Sequence, residues 1–162
     1  MNHSHQIVGQ SAGDSTALHQ YLERELQSGG YDAIAEELNE AAILRWNCSE
    51  STARRVATSL GIRHRFCDPE PSERAILGIP SREELEQQFG LGKIINSAAT
   101  RQLDAAQKNY WPIREAFWLA RLQELGATRI LFILGADHIQ SFSAFLTREG
   151  ISFICLEQNW EP

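Results

Sequence analysis

Three glycines, each set between an amphipathic stretch and an apolar one, constrain this chain more than any other feature. They stand in Leu60-Gly61-Ile62, Leu125-Gly126-Ala127 and Glu149-Gly150-Ile151. A glycine that ends a helix and releases the chain into a strand is a left-handed C-terminal cap. Repeated along a chain, it marks helices alternating with strands, and that alternation builds right-handed βαβ units on a parallel sheet. The apolar runs predict strands at about 32–36, 62–67, 129–134 and 151–156. The last two are almost wholly apolar, as parallel strands covered on both faces must be. Helices are predicted over 16–27, where Leu18, Leu22 and Leu26 recur every four residues, over 49–60 and over 137–149.

The middle of the chain reads differently. Between Ser81 and Leu125 no strand pattern occurs. Ser81 with Glu84 three residues on forms a capping box. Leu103, Ala106, Tyr110, Ile113, Phe117 and Ala120 then alternate by three and four, with Pro112 as an interruption. The expected fold is therefore one α/β domain over residues 1–162. It has a mostly parallel four-stranded sheet, flanking helices, and a helical insertion at about 81–125 between strands two and three.

A length of 162 residues suits one domain with one core. A formal net charge of -6 argues against a surface that coats nucleic acid. Cys48, Cys67 and Cys155 are odd in number and lack metal-ligand spacing. With no leader pattern and no membrane-length apolar run, the chain is expected in the cytoplasm. No strand pattern precedes His3 and His5. If they belong to a strand-to-helix loop, the strand feeding it is missing. A sheet so truncated would expose an edge, which predicts a homodimer or another partner to cover it.

Ligands of parallel α/β sheets bind beyond the carboxyl ends of the strands. The polar residues placed there are Glu36 and Glu37 after the first predicted strand, Asp68 after the second, and Asp137 and His138 after the third. Each has an ordinary structural reading. Asp137 suits a helix N-cap, Asp68-Pro69 a turn, and one of Glu36 and Glu37 a solvent-facing position. His64 reads as a packed or surface histidine, and Cys67 as a small buried residue. His138 carries more. It opens a helix at the ligand-binding edge, where the helix dipole favours a neutral imidazole able to act as base or metal ligand. In Trp111-Pro112-Ile113-Arg114-Glu115-Ala116-Phe117-Trp118, one helical face carries Trp111, Glu115 and Trp118. Arg114 there suits an anionic or carbonyl group.

In order, these pieces resemble the TraB/TIKI superfamily, with its ChaN-like and erythromycin esterase-like relatives. That pattern has an early G-x-x-H loop, a glutamate ending the next strand, an R-N-x-x-M-like helix, and a late G-x-x-H followed by a helix. The counterparts are His3 or His5, then Glu36-Glu37-Leu38, then Arg114-Glu115-Ala116-Phe117-Trp118, then Gly135-Ala136-Asp137-His138. The departures are Asn2 in place of the early glycine and Glu115 in place of the asparagine. The resemblance implies a hydrolase. TIKI-like members use a metal, which would fall to His3, His5, His138 and Glu37. Erythromycin esterase-like members use histidine and glutamates without one.

Three readings stand. The first is a hydrolase of a small-molecule or peptide substrate, with His138, Glu36 or Glu37, and Arg114 at its centre and Asp68, Glu115 and Asp137 as auxiliaries. The second is a magnesium-dependent nuclease or phosphoesterase built on Glu36, Asp68 and Asp137. The third is a non-catalytic binding or regulatory domain with a degenerate site.

Overall fold

The computed structural model describes residues 2–7, 15–90 and 97–157. It is an α/β fold with helices on both faces of a parallel sheet. The strands are β1 (Asn2–Ile7), β2 (Ala33–Glu36), β3 (Arg63–Phe66), β4 (Arg129–Leu134) and β5 (Ser152–Glu157). β2 pairs in parallel with β3 and β4, and β1 pairs in parallel with β4 and β5, giving the order β3-β2-β4-β1-β5.

This corrects the four-strand expectation and its corollary. The chain does not lack a first strand. Asn2–Ile7 is that strand, and it lies inside the sheet. Asn-His-Ser-His-Gln gives no apolar signal, so its pairing is set by its neighbours and not by propensity. Among the described residues the open edges are β3 and β5, and β5 leaves Ile154 59% exposed.

The period-two alternation of β4 divides the core. Ile130, Phe132 and Leu134 pack with Trp118, Leu122, Phe142 and Leu146 on one face. Leu131 and Ile133 pack on the other with Leu18, Leu22 and Leu26, and with Ala53, Val56 and Ala57. Those partners come from α7 (Trp111–Glu124) and α8 (Ile139–Arg148) on the first face. On the second they come from α1 (Ser15–Gly29) and α3 (Thr52–Leu60). Burying each of the valine, leucine, isoleucine and phenylalanine side chains among them contributes about 1.5–3 kcal/mol. Gly61 and Gly150, at φ 65° and 68°, take the left-handed conformation that the sequence pattern required.

The insertion starts earlier than expected. α4 (Pro71–Leu77) precedes α5 (Arg82–Gln88), which has the predicted Ser81–Glu84 capping box. α6 (Ser97–Lys108) and α7 are separate helices, and Pro112 sits in the first turn of α7, where it costs no hydrogen bond. A short α2 (Glu40–Arg45), capped by Asn39, had no visible signal. Among the described residues, no strand lies between β3 and β4.

Asp32 ties the start of β2 to the start of β4. Its carboxylate accepts from the backbone N–H groups of Thr128 (2.9 Å) and Arg129 (2.8 Å). Burial alone would raise its pKa, but those two N–H groups, its own N–H and the Arg63 guanidinium together outweigh it and hold the carboxyl below the usual aspartate value. A depressed carboxylate contributes stability above the unfolded value of about 3.9 and loses it as pH falls through the lower folded value. Asp32→Asn should therefore melt below the native protein at neutral pH. Calorimetry at pH values stepped below about 4 should show the two converging.

Candidate functional site

Connections from β1 to β2 run toward one edge of the sheet, and from β4 to β5 toward the other. The crevice where they diverge lies beyond the carboxyl ends of the strands, the usual ligand position in such sheets. A cleft of about 430 Å³ opens beyond the carboxyl ends of β2 and β4, lined among others by Glu37, Arg74, Trp111, Arg114, Asp137 and His138.

Strand alternation separates the two neighbouring glutamates. Ala33 and Ala35 face the α7/α8 side and Ile34 the α1/α3 side. Glu36 shares the side of Ile34, so Glu37 emerges on the other. Glu36 is 5% exposed, receives a hydrogen bond from Ser51 Oγ (2.5 Å) and lies 2.6 Å from His64 Nε2. It neither points to solvent nor reaches the cleft. Its role is to join β2, β3 and the N-cap of α3. The catalytic role expected for Glu36 is not supported by this placement.

Glu37 reaches the cleft. Its Oε2 accepts from the Gly135 N–H (2.7 Å) and its Oε1 from Arg114 Nη2 (2.9 Å). Arg114 also donates to Asp68 Oδ1 through Nε (3.0 Å) and Nη2 (2.6 Å), and its guanidinium lies over the Trp118 ring. Trp118 Nε1 donates to the same Asp68 oxygen (3.2 Å), while Arg74 Nη2 donates to Oδ2 (2.5 Å). Burial works against the charge on Arg114. Asp68 and Glu37 outweigh it and raise the pKa further above the already high arginine value. Arg114 is a fixed cation.

His138 is 5% exposed, with its ring against Trp111 (4.1 Å between centroids) and Trp118 (4.8 Å). Its Nδ1 lies 3.1 Å from Glu115 Oε1, and its Nε2 lies 3.3 Å from Arg114 Nη1 and 3.6 Å from Glu37 Oε1. A guanidinium can only donate, so Nε2 is the acceptor and Nδ1 carries the proton given to Glu115. Glu115, 3% exposed, is held in turn by Ser141 Oγ (2.5 Å).

Asp137 is exposed and caps nothing. The chain turns through a 3-10 segment, Ala136–His138, with Gly135 at its N-cap position and His138 at that of α8, and neither makes a side-chain cap bond. The expected cap role for Asp137 is overturned because this short turn replaces an abrupt helix start. The residues of the nuclease set, Glu36, Asp68 and Asp137, are not all brought together, since Glu36 turns to the other face of the sheet.

The metal set fits poorly. His3 and His5 stand at register positions beside Ile130 and Phe132, within the sheet and not beyond its edge, and their side chains lie outside the described part of the structure. Both oxygens of Glu37 and of Asp68, and the free nitrogen of His138, already face protein donors. A divalent ion needs those lone pairs. Among the described residues, no group of three or more His, Cys, Asp and Glu is disposed to hold a metal.

No family model, curated protein or solved structure matches this chain. The site is therefore read from its own geometry. It unites Glu37, Asp68, Arg114, Glu115 and His138 and leaves out Glu36. Sequence reasoning missed Arg74, whose only signal is its place one turn into the helix that Asp68-Pro69 introduces. It also missed Ser141, three residues after His138. Cys67 is fully buried in the core, and burial pushes its thiol far up, so it takes no part. No helix of the described residues is long and apolar enough to cross a membrane.

Proposed function

We propose that this chain is a hydrolase that activates water through the Glu115–His138 pair. The observation that carries the reading is the orientation of His138. Glu115 holds Nδ1–H, and Nε2 faces the cleft, where the Arg114 Nη1–H it now accepts (3.3 Å) turns to the carbonyl oxygen of a bound substrate and the lone pair passes to water. A buried carboxylate behind an imidazole fixes its tautomer and stabilises the imidazolium that forms when it takes a proton. In the proposed step, Nε2 takes a proton from water as its oxygen adds to a carbonyl carbon. The imidazolium then returns the proton to the leaving oxygen as the old C–O bond breaks. Arg114 offsets the negative charge that develops on the carbonyl oxygen. Glu37, anchored by Gly135, keeps the guanidinium in place. The resemblance to metal-independent erythromycin esterase-like proteins supports the same assignment.

The test is hydrolysis of a series of p-nitrophenyl esters, with p-nitrophenyl phosphate as the phosphoesterase alternative, each with and without chelator. Ester cleavage that survives the chelator and disappears in His138→Asn supports the reading. Cleavage of the phosphate alone, or only with added magnesium, would replace it with the second reading.

The open strand β5 supports a further part of the proposal, that a second copy of the chain or another partner adds at this edge. Light scattering across a concentration series should show a species heavier than one chain. A constant monomer mass would overturn self-association.

A further inference from the structure

Besides His138, the ionisable acids and bases that line the cleft with a full charge at neutral pH are Glu37, Arg74, Arg114 and Asp137. Three of them are already engaged within the protein. Arg114 pairs with Glu37 (2.9 Å) and with Asp68 (2.6 Å), and Arg74 pairs with the other oxygen of Asp68 (2.5 Å). Two guanidinium groups are thus offset by two carboxylates. Asp137 is the fourth charge. It is exposed, and among the described residues its carboxylate makes no hydrogen bond and no ion pair. The wall of the cleft therefore carries one unmatched negative charge, on the residue immediately before His138.

Charge complementarity decides which ligand suits such a wall. An anionic substrate would meet Asp137 as a like charge, and the two arginines that could receive it are held by Glu37 and Asp68. The Gln107 amide and the Tyr110 hydroxyl line the same cleft, and their side chains make no hydrogen bond among the described residues. Each has an oxygen that can accept. An ammonium group brings three N–H donors and no acceptor, so carboxylate, amide and phenol oxygens all suit it. A neutral hydroxyl could bond the same groups but would leave the charge of Asp137 unmatched. Lys108 holds its ammonium 5.1 Å from the centre of the Trp111 ring. It makes no ion pair with Asp137 and does not line the cleft, so the carboxylate stays open to a ligand.

We infer that the substrate is cationic: Asp137 receives an ammonium group while the scissile carbonyl lies at His138. The bond broken rests on the hydrolase reading; the cation subsite rests on the cleft alone. Two measurements keep them apart. In the first, kcat/KM is compared for the p-nitrophenyl esters of 6-aminohexanoate, 6-hydroxyhexanoate and heptanoate, each rate taken over the spontaneous one. The three are equally long and differ only at the end group. At low salt the amino ester should lead by about fivefold or more, the attraction of one pair of unit charges in contact across water. Added salt should shrink that lead. Asp137→Asn should bring the amino ester level with the hydroxy ester, and Asp137→Lys should place it last. In the second, backbone amide resonances are followed by NMR as 6-aminohexanamide or heptanamide is added. The amino amide should shift those around residue 137 more than heptanamide does, in the native protein and in His138→Asn but not in Asp137→Asn. Such shifts without ester hydrolysis would sink the hydrolase and leave the subsite standing. A hydroxy ester cleaved as fast as the amino ester by the native protein, or a preference for the amine that survives in Asp137→Asn, would overturn the subsite.

Discussion

His138→Asn should lower kcat/KM for ester hydrolysis by about 10²–10⁴, the range that one positioned general base supplies. Asparagine is the informative replacement because its amide N–H can still donate to Glu115 while offering no basic nitrogen. Alanine would confuse two effects. His138 is packed between two tryptophan rings and supplies one of the donors to a buried carboxylate. Truncating it opens a cavity and leaves Glu115 underbonded, which costs about 2–4 kcal/mol by itself. An exposed imidazole could be removed without loss of stability, but this one is buried. Glu115→Gln should give a smaller loss in kcat, because the amide oxygen can still hold the tautomer but cannot stabilise an imidazolium. Asp137→Ala is the control. With no cap bond to lose, it should stay within about 0.5 kcal/mol of the native stability. A His138→Asn protein that hydrolyses esters at the native rate would end the base assignment.

The glycines at 61, 126 and 150 and the leucines of α1 made the alternating architecture legible, because backbone conformation and burial both leave marks on local sequence. β1 left none. All but Ile7 are polar, and what holds them in the sheet is pairing with β4 and β5, two strands far along the chain. The candidate site was legible at the same level. Carboxyl-edge position picked out Glu36, Glu37, Asp68, Asp137 and His138, and helical periodicity put Trp111, Glu115 and Trp118 on one face, with Arg114 one turn before Trp118. Two things were hidden. Choosing between Glu36 and Glu37 needs the strand's facing, which one residue of register reverses. The pairing of Glu115 with His138 joins two helices, α7 and the turn before α8, and depends on their packing across Phe142 and Trp118. Position can nominate residues for a site, but tertiary packing determines which atoms meet.

Arg114→Met should destabilise the protein by about 3–5 kcal/mol in urea denaturation, the cost of removing one partner from a buried ionic cluster. Exposure decides the magnitude. The side chains of Arg114, Glu37 and Asp68 are only 16%, 14% and 8% exposed. A solvent-exposed pair would be worth about 0–1 kcal/mol. Methionine fills much of the same volume, so the loss reports the stranded carboxylates more than a cavity. Arg114→Lys should fall between, because one ammonium cannot reproduce the fork that reaches Glu37, Asp68 and His138 together. Adding Asp68→Asn to Arg114→Met should recover part of the loss, since it removes one of the unpaired charges, and the excess over additivity measures their coupling. If Arg114→Met instead denatures within about 1 kcal/mol of the native protein, the cluster behaves as a surface network. Glu37 and Asp68 would then be free to accept a divalent ion, and the metal-dependent form of the hydrolase would become the better reading of the same cleft.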